Sequence, residues 1–235
     1  MKNLFLKVGL ATGLALIFAA AGVQALPDDC EITQPDSLIV SDAQGVLWSF
    51  DLERRELRLL SDLGVGGNFD IQYSRPFELV IANLNGSLQR FNLLTHELTT
   101  LVQGPAVGHP IGVTVIPGDG YYFTDHFGAR RVLRYDPRTG ALEVIATLTT
   151  GGTLDGIAHD AAGRLIVTAH SGHIYRISTR PVRIEVVAQI TGYALNGVVL
   201  TPRGTLIVAA HEPAAVFEVD PRSGSADAGA PSARC

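Results

Sequence analysis

Between Thr153 and Ser178 the chain alternates short apolar runs with Asp/Gly turns. Gly156–His159 is a brief apolar run, Asp160–Gly163 a turn, Leu165–Ala169 a β-branched run, and His170–Gly172 a second turn. Ile174–Ile177 then alternates apolar and polar positions. Alternation with a period of two, bounded by turn residues, predicts three antiparallel strands joined by hairpins.

The same phrase occurs five times. The second strand of each copy ends in IVSD, VIAN, YFTD, IVTA or IVAA, with last residues Asp42, Asn83, Asp125, Ala169 and Ala210, spaced 41, 42, 44 and 41 apart. The third strands keep step and end at Asp51, Asn92, Asp136, Ser178 and Asp220. DPRTG and DPRSG turns follow at 136–140 and 220–224, and apolar fourth segments such as LEVIATL and IEVVAQI come next. Four strands repeated at this period predict an all-β propeller, because one such sheet buries both faces only when neighbours cover it. Five units predict five four-stranded blades over residues 26–224, with a six-bladed ring as the alternative. The first strand of unit one is expected near Cys30–Gln34. Unit five reaches DPRSG without a clear fourth strand, and residues 225–235 read as a flexible tail ending in Cys235.

Residues 1–25 break the repeat. Lys2 and Lys7 precede a short apolar run from Val8 to Gly22, and Val23-Gln24-Ala25 offers small residues for cleavage. This pattern predicts an export signal cut near Ala25, hence a periplasmic or secreted protein with no membrane span once the signal is removed. Lys2 and Lys7 are the only lysines, and the whole chain already carries a net charge of −5. An acidic chain without basic runs argues against nucleic acid as a partner, and the absence of lysine beyond residue 7 excludes Schiff-base chemistry and a P-loop. A monomer is expected, binding a small molecule or a protein. Two cysteines, Cys30 and Cys235, lie near the two ends. In an oxidising compartment a ring fold would let them form a clasp.

In a propeller, the loops before strand one and between strands two and three open on one face, around the axis. Those loops place His109, Asp155 and Asn196, with Glu31 in a comparable position, and Asp42, Asn83, Asp125, His126, His170, His211 and Glu212 at this axial mouth. His96 and His159 fall toward the opposite face. The repeated TDH, TAH and AAH could supply three imidazoles to zinc. Sheets packed about 10 Å apart oppose this, since the three side chains would have to lean inward to meet. Asp155-Gly156 and Asn196-Gly197 are equivalent openings of the innermost strand. With Glu31 they offer hard oxygen ligands for Ca²⁺ or Mg²⁺.

The stretches LDGIAHDAAGRLIVTAHSGHIYRIS and LNGVVLTPRGTLIVAAHEPAAVFEVDPRSG resemble the SMP-30/gluconolactonase/regucalcin propellers and the wider NHL-type group. That resemblance implies a divalent cation held by Asp155, Asn196 and, more loosely, Glu31, polarising a lactone for hydrolysis. His170 and His126 would help to move protons. The chain departs from the family in the order of Asp155 and Asn196, in having Leu154 and Leu195 where the family has proline, and in its five units. The three-histidine pattern is also similar to that of the peptide-amidating lyase, a related propeller with zinc on blade histidines; this makes His126, His170 and His211 the alternative metal set. Three readings stand: a metal-dependent lactone-type hydrolase, a non-catalytic propeller binding a ligand or protein at its mouth, and a three-histidine zinc lyase.

Overall fold

The computed structural model describes residues 6–10, 14–20 and 37–228. It is a five-bladed β-propeller of antiparallel strands, with no helix among the described residues. Blade one contains β1 (Leu6–Leu10), β2 (Leu14–Ala20), β3 (Ser37–Ser41), β4 (Val46–Asp51) and β5 (Glu56–Asp62). Blade two contains β6 (Asn68–Arg75), β7 (Glu78–Asn83), β8 (Ser87–Asn92) and β9 (Leu98–Gln103). Blade three has β10 (Pro110–Ile116), β11 (Gly120–Asp125), β12 (Arg131–Tyr135) and β13 (Leu142–Thr147). Blade four has β14 (Leu154–His159), β15 (Leu165–Ala169), β16 (His173–Thr179) and β17 (Val182–Gln189). Blade five has β18 (Ala194–Leu200), β19 (Leu206–Glu212), β20 (Ala214–Val219) and β21 (Ala226–Ala228).

Burial falls from the axis outward, as ring packing demands. Every residue of β7, β11 and β15 is buried, whereas the outer strands β5 and β17 are largely exposed. The core is a set of layers between blades. Tyr122 and Val132 of blade three pack with Leu154, Ile157, Val167 and Ile177 of blade four. Ile166 and Ile174 of blade four pack with Val198, Val208 and Phe217 of blade five. The same arrangement joins blades two and three, and blades one and two. No blade closes a core alone, so the repeats specify one domain.

Two ends differ from the repeat pattern. Leu6–Leu10 and Leu14–Ala20, which fall within the segment 1–25 expected to be an export signal, pair with each other, and β2 adds to β3. The first-strand place beside β3, expected for Cys30–Gln34, is thus taken by β2, with β1 beyond it; Cys30–Gln34 lies outside the described residues. At the other end, Ala226–Ala228 pairs with Phe217–Val219 as the fourth strand of blade five. Three small residues carry too little alternation to announce a strand, and the DPRSG hairpin turn, not their side chains, sets their register.

On the face away from the mouth, Asp119 gathers Tyr122, Arg134 and Arg180. The Tyr122 hydroxyl donates to Asp119 Oδ2 at 2.6 Å, and Arg180 reaches across from blade four at 3.3 Å. Burial, then the bond to the Asp119 carboxylate, pushes the Tyr122 phenol up to about 12; burial alone takes Tyr73 to about 12. Both phenols are neutral in the fold, and their folded values lie above the unfolded value of about 10. Their contribution to stability is therefore full below about pH 10 and is lost as pH rises toward about 12. Melting temperatures measured across this window should fall with pH, and less steeply in Tyr122→Phe. An equal slope in the variant would remove Tyr122 from the account.

Candidate metal centre at the axial mouth

Residues that start the inner strands of blades three to five leave the regular ladder. Pairing of β14 with β15 jumps from Leu154↔Ala169 to Ile157↔Val167, and matching jumps occur in blades three and five. Asp155 and Gly156 are therefore free to serve the mouth. The backbones also approach closely here: a Cβ on Gly156 would lie 2.5 Å from the Asn196 carbonyl, and one on Gly112 would meet the Asp155 carbonyl. Only glycine allows this spacing.

Threonines on the second strands of blades three and four tie each of these blades to the next. The buried Thr124 hydroxyl accepts from Gly112 N at 3.0 Å and donates to the Asp155 carbonyl at 2.5 Å. Thr168 donates to the Asn196 carbonyl in the same way. Thr124→Val keeps the shape and strands a buried N–H and a buried carbonyl. It should cost about 2 kcal/mol of stability, read as a shifted urea midpoint; a loss below half of that would show that the two groups find other partners.

At this convergence the three histidines meet. The His126 and His170 ring centroids are 5.0 Å apart, and those of His170 and His211 are 4.9 Å apart. The expected sheet spacing is overcome because each histidine lies at or just past the mouth end of a second strand, where blades narrow toward the axis and inner-strand glycines bring them closer still. Asp155 joins the row. Its Oδ2 accepts from His170 Nε2 at 2.8 Å and lies 3.9 Å from His126 Nδ1. One ligand atom from each of His126, Asp155 and His170 lies within 4.8 Å of the others.

Hydrogen bonds fix the tautomers. His126 Nδ1 lies 2.7 Å from the Leu154 carbonyl. A carbonyl only accepts, so Nδ1 carries the proton and Nε2 keeps its lone pair. His170 donates from Nε2 to Asp155, which leaves its Nδ1 lone pair. Histidines that bind metals have their second nitrogen engaged in this way. His211 Nδ1 is buried and has no hydrogen-bond partner. The group within reach of one ion is thus His126, Asp155 and His170, with the His211 ring next to His170 carrying a further unpaired nitrogen; such a set fits a divalent ion that accepts nitrogen.

The remaining residues expected at the mouth have other tasks. Asp42 accepts from Gln44 N, Val46 N and Trp48 Nε1 and so holds its own hairpin. Asn83 donates to the Gly66 carbonyl and accepts from Asn85 N. Asp125 is fully buried and receives Arg131 Nε and Nη2 at 2.9 and 2.8 Å on Oδ2, with His109 N at 2.9 Å on Oδ1. These three occupy one repeat position and serve as loop braces. The last two blades carry Ala169 and Ala210 there. Asn196 is half-buried, and its main-chain carbonyl is taken by Thr168. Glu31 lies outside the described residues, as do Cys30 and Cys235. The two ligand sets separated in the sequence thus overlap at Asp155.

Sequence reasoning missed Phe127. It is 62 % exposed, and its ring meets His126 edge-on at 4.3 Å and His109 at 5.7 Å. Its place directly after a site histidine was the available signal.

No protein-family model and no curated relative matches the chain. Solved structures do. A chain of a nidogen/laminin complex aligns with a TM-score of 0.76 at 14 % identity, over 98 % of this chain and 93 % of that one. Virginiamycin B lyase from Staphylococcus aureus, as a catalytically inactive histidine-to-alanine form with quinupristin, aligns with a TM-score of 0.65 at 13 % identity over 97 % of this chain and 74 % of that one. An auxiliary nutrient binding protein from Bacteroides thetaiotaomicron aligns with a TM-score of 0.67 at 15 % identity over 94 % of this chain and 57 % of that one. These likenesses show an NHL-like propeller fold. Their roles differ among themselves, so they leave function to the site.

Proposed function

We propose that this protein is a divalent-metal-dependent enzyme that cleaves the C–O bond of a lactone or related ester at its axial mouth. The observation that carries the reading is the row His126–His170–His211 with Asp155 bonded to His170 and the buried His211 Nδ1 unpartnered. The imidazole-rich set suits zinc better than Ca²⁺ or Mg²⁺, which prefer oxygen ligands. Asp155 is then chiefly the group that orients His170. The Leu154 carbonyl does the same for His126. Bound there, the ion would supply a Lewis acid for the ester carbonyl. His170, with a side chain 30 % exposed, keeps the centre open to substrate. The inactive histidine-to-alanine form of the lyase neighbour supports histidine-based chemistry on this fold.

Export belongs to the same proposal. Cleavage near Ala25 would remove β1 and β2 and open the edge of β3. N-terminal sequencing of secreted protein tests it. Among the described residues no helix is long and apolar enough to cross a membrane. The second reading, a propeller that binds without catalysis, draws on the nutrient-binding neighbour and requires no metal. Elemental analysis of the purified protein, followed by a screen of lactones and aryl esters with Zn²⁺ and Ca²⁺, separates the two. Stoichiometric zinc with turnover supports the enzyme; ligand binding with neither supports the binder.

A further inference from the structure

Among the described residues, the exposed large apolar side chains sit on outer strands, on the third strand of blade five or on hairpin turns of the far face, with one exception. Leu57, Leu59, Val144, Val182, Ile184, Val186 and Val216 lie on β5, β13, β17 and β20, while Leu52 and Leu94 lie in the turns before β5 and β9. The exception is Phe127, in the mouth loop between β11 and β12. Its exposure does not reflect a loose loop. His126 and His109 hold the ring at interplanar angles of 73° and 75°. His126 N donates to the His109 carbonyl at 2.9 Å, and Asp125 anchors both loops from below. An aromatic ring fixed in this way loses little freedom when a ligand covers it. It also stands one residue from a histidine of the proposed metal centre.

We propose that Phe127, with His109 beside it, is the recognition wall for a planar aromatic or unsaturated group on the substrate, so that the substrate class is aryl-bearing or aryl-fused lactones. This rests on the metal-dependent reading above. Phe127 would stack on the planar group while the ester lies over His126 and His170. His109, whose side chain is half exposed, would form the outer edge of the wall. Phe127 is thus a specificity residue and takes no part in bond making.

The test compares wild type, Phe127→Ala and Phe127→Leu, all zinc-loaded, on dihydrocoumarin and on δ-valerolactone, which share a lactone ring and differ in the fused arene. The arene's intrinsic reactivity cancels when each variant is compared with wild type. The expected result in Phe127→Ala is a rise in KM of about tenfold for dihydrocoumarin and of about twofold or less for δ-valerolactone, with kcat little moved. Phe127→Leu, which restores bulk without a ring, should recover only part of the loss. Equal changes on both substrates, or none on dihydrocoumarin, would overturn the wall. Binding of the hydrolysis products, 3-(2-hydroxyphenyl)propionate and 5-hydroxyvalerate, is measured in parallel by calorimetry. If wild type turns over neither lactone yet binds the aryl acid and loses it in Phe127→Ala, the metal-enzyme reading fails and the wall stands. If the aryl acid binds no better than the aliphatic one, or binds Phe127→Ala as well as wild type, the wall fails whatever the activity.

Discussion

His170→Ala should, on the proposed metal-dependent function, lower lactone turnover by about a hundredfold or more, and zinc content with it, while the protein melts close to wild type. The side chain is 30 % exposed and has one hydrogen bond, to Asp155 Oδ2. Its truncation removes little packing, so a fall in activity would not report unfolding. It does remove the middle ring of the three and strips Asp155 of its donor. Asp155→Asn is the informative companion. The amide keeps the shape, and its oxygen can still accept from His170, but the negative charge is gone. A loss of about 10–100-fold in metal affinity is the usual size for such an orienting partner. The expected order is His170→Ala below Asp155→Asn in both metal content and rate, with His211→Ala close to His170→Ala. If zinc is retained fully in His170→Ala, the histidine row is not a metal centre. Calcium bound by wild type, kept by His170→Ala and lost with Asp155→Ala, would move the site to the oxygen set of Asp155, Asn196 and Glu31.

The propeller was legible because its signal is redundant. Five second strands ending at Asp42, Asn83, Asp125, Ala169 and Ala210 repeat one register. A period of about 42 with four strands has few other solutions. The candidate site was legible in its parts and not in its assembly. The mouth loops could be placed from topology, so His126, His170, His211 and Asp155 were all named. Their meeting could not be read, because it depends on how far inner strands converge. That distance is set by Gly112 and Gly156 packing against the carbonyls of Asp155 and Asn196, a tertiary contact with no local signature. Roles within the mouth loops were likewise hidden. Asp125 and His170 lie in matching loops, yet Asp125 turns down into Arg131 while His170 faces Asp155. Blade four carries Ala169 in the place of Asp125 and His173 in the place of Arg131, so the brace has no counterpart there.

Asp125→Ala should be among the most destabilising single substitutions in the ring, at about 3–5 kcal/mol. The carboxylate is inaccessible to water and carries three bonds: two from Arg131 and one from His109 N. The surrounding chain is shaped to it. Gly108 has φ +76°, and any Cβ there or at Gly128 would collide with the carboxylate. Removing the side chain leaves a hole between two glycines and a partly buried guanidinium without its counter-charge. Arg131→Ala is the converse and leaves a buried carboxylate unneutralised, so its cost should be similar. Arg131→Ala and Asp125→Ala together should cost clearly less than the sum, because each single variant strands a charge that the double variant does not. Urea unfolding of the three variants measures this, provided the slope with denaturant is unchanged. A loss under 1 kcal/mol in Asp125→Ala would show that water reaches the site and that the pair is a surface one. Since His126 follows Asp125 directly and bonds to the His109 carbonyl, the same variant should weaken zinc binding without removing a ligand. Stability and metal affinity falling together in Asp125→Ala, but separately in His170→Ala, would distinguish the brace beneath the site from the site itself.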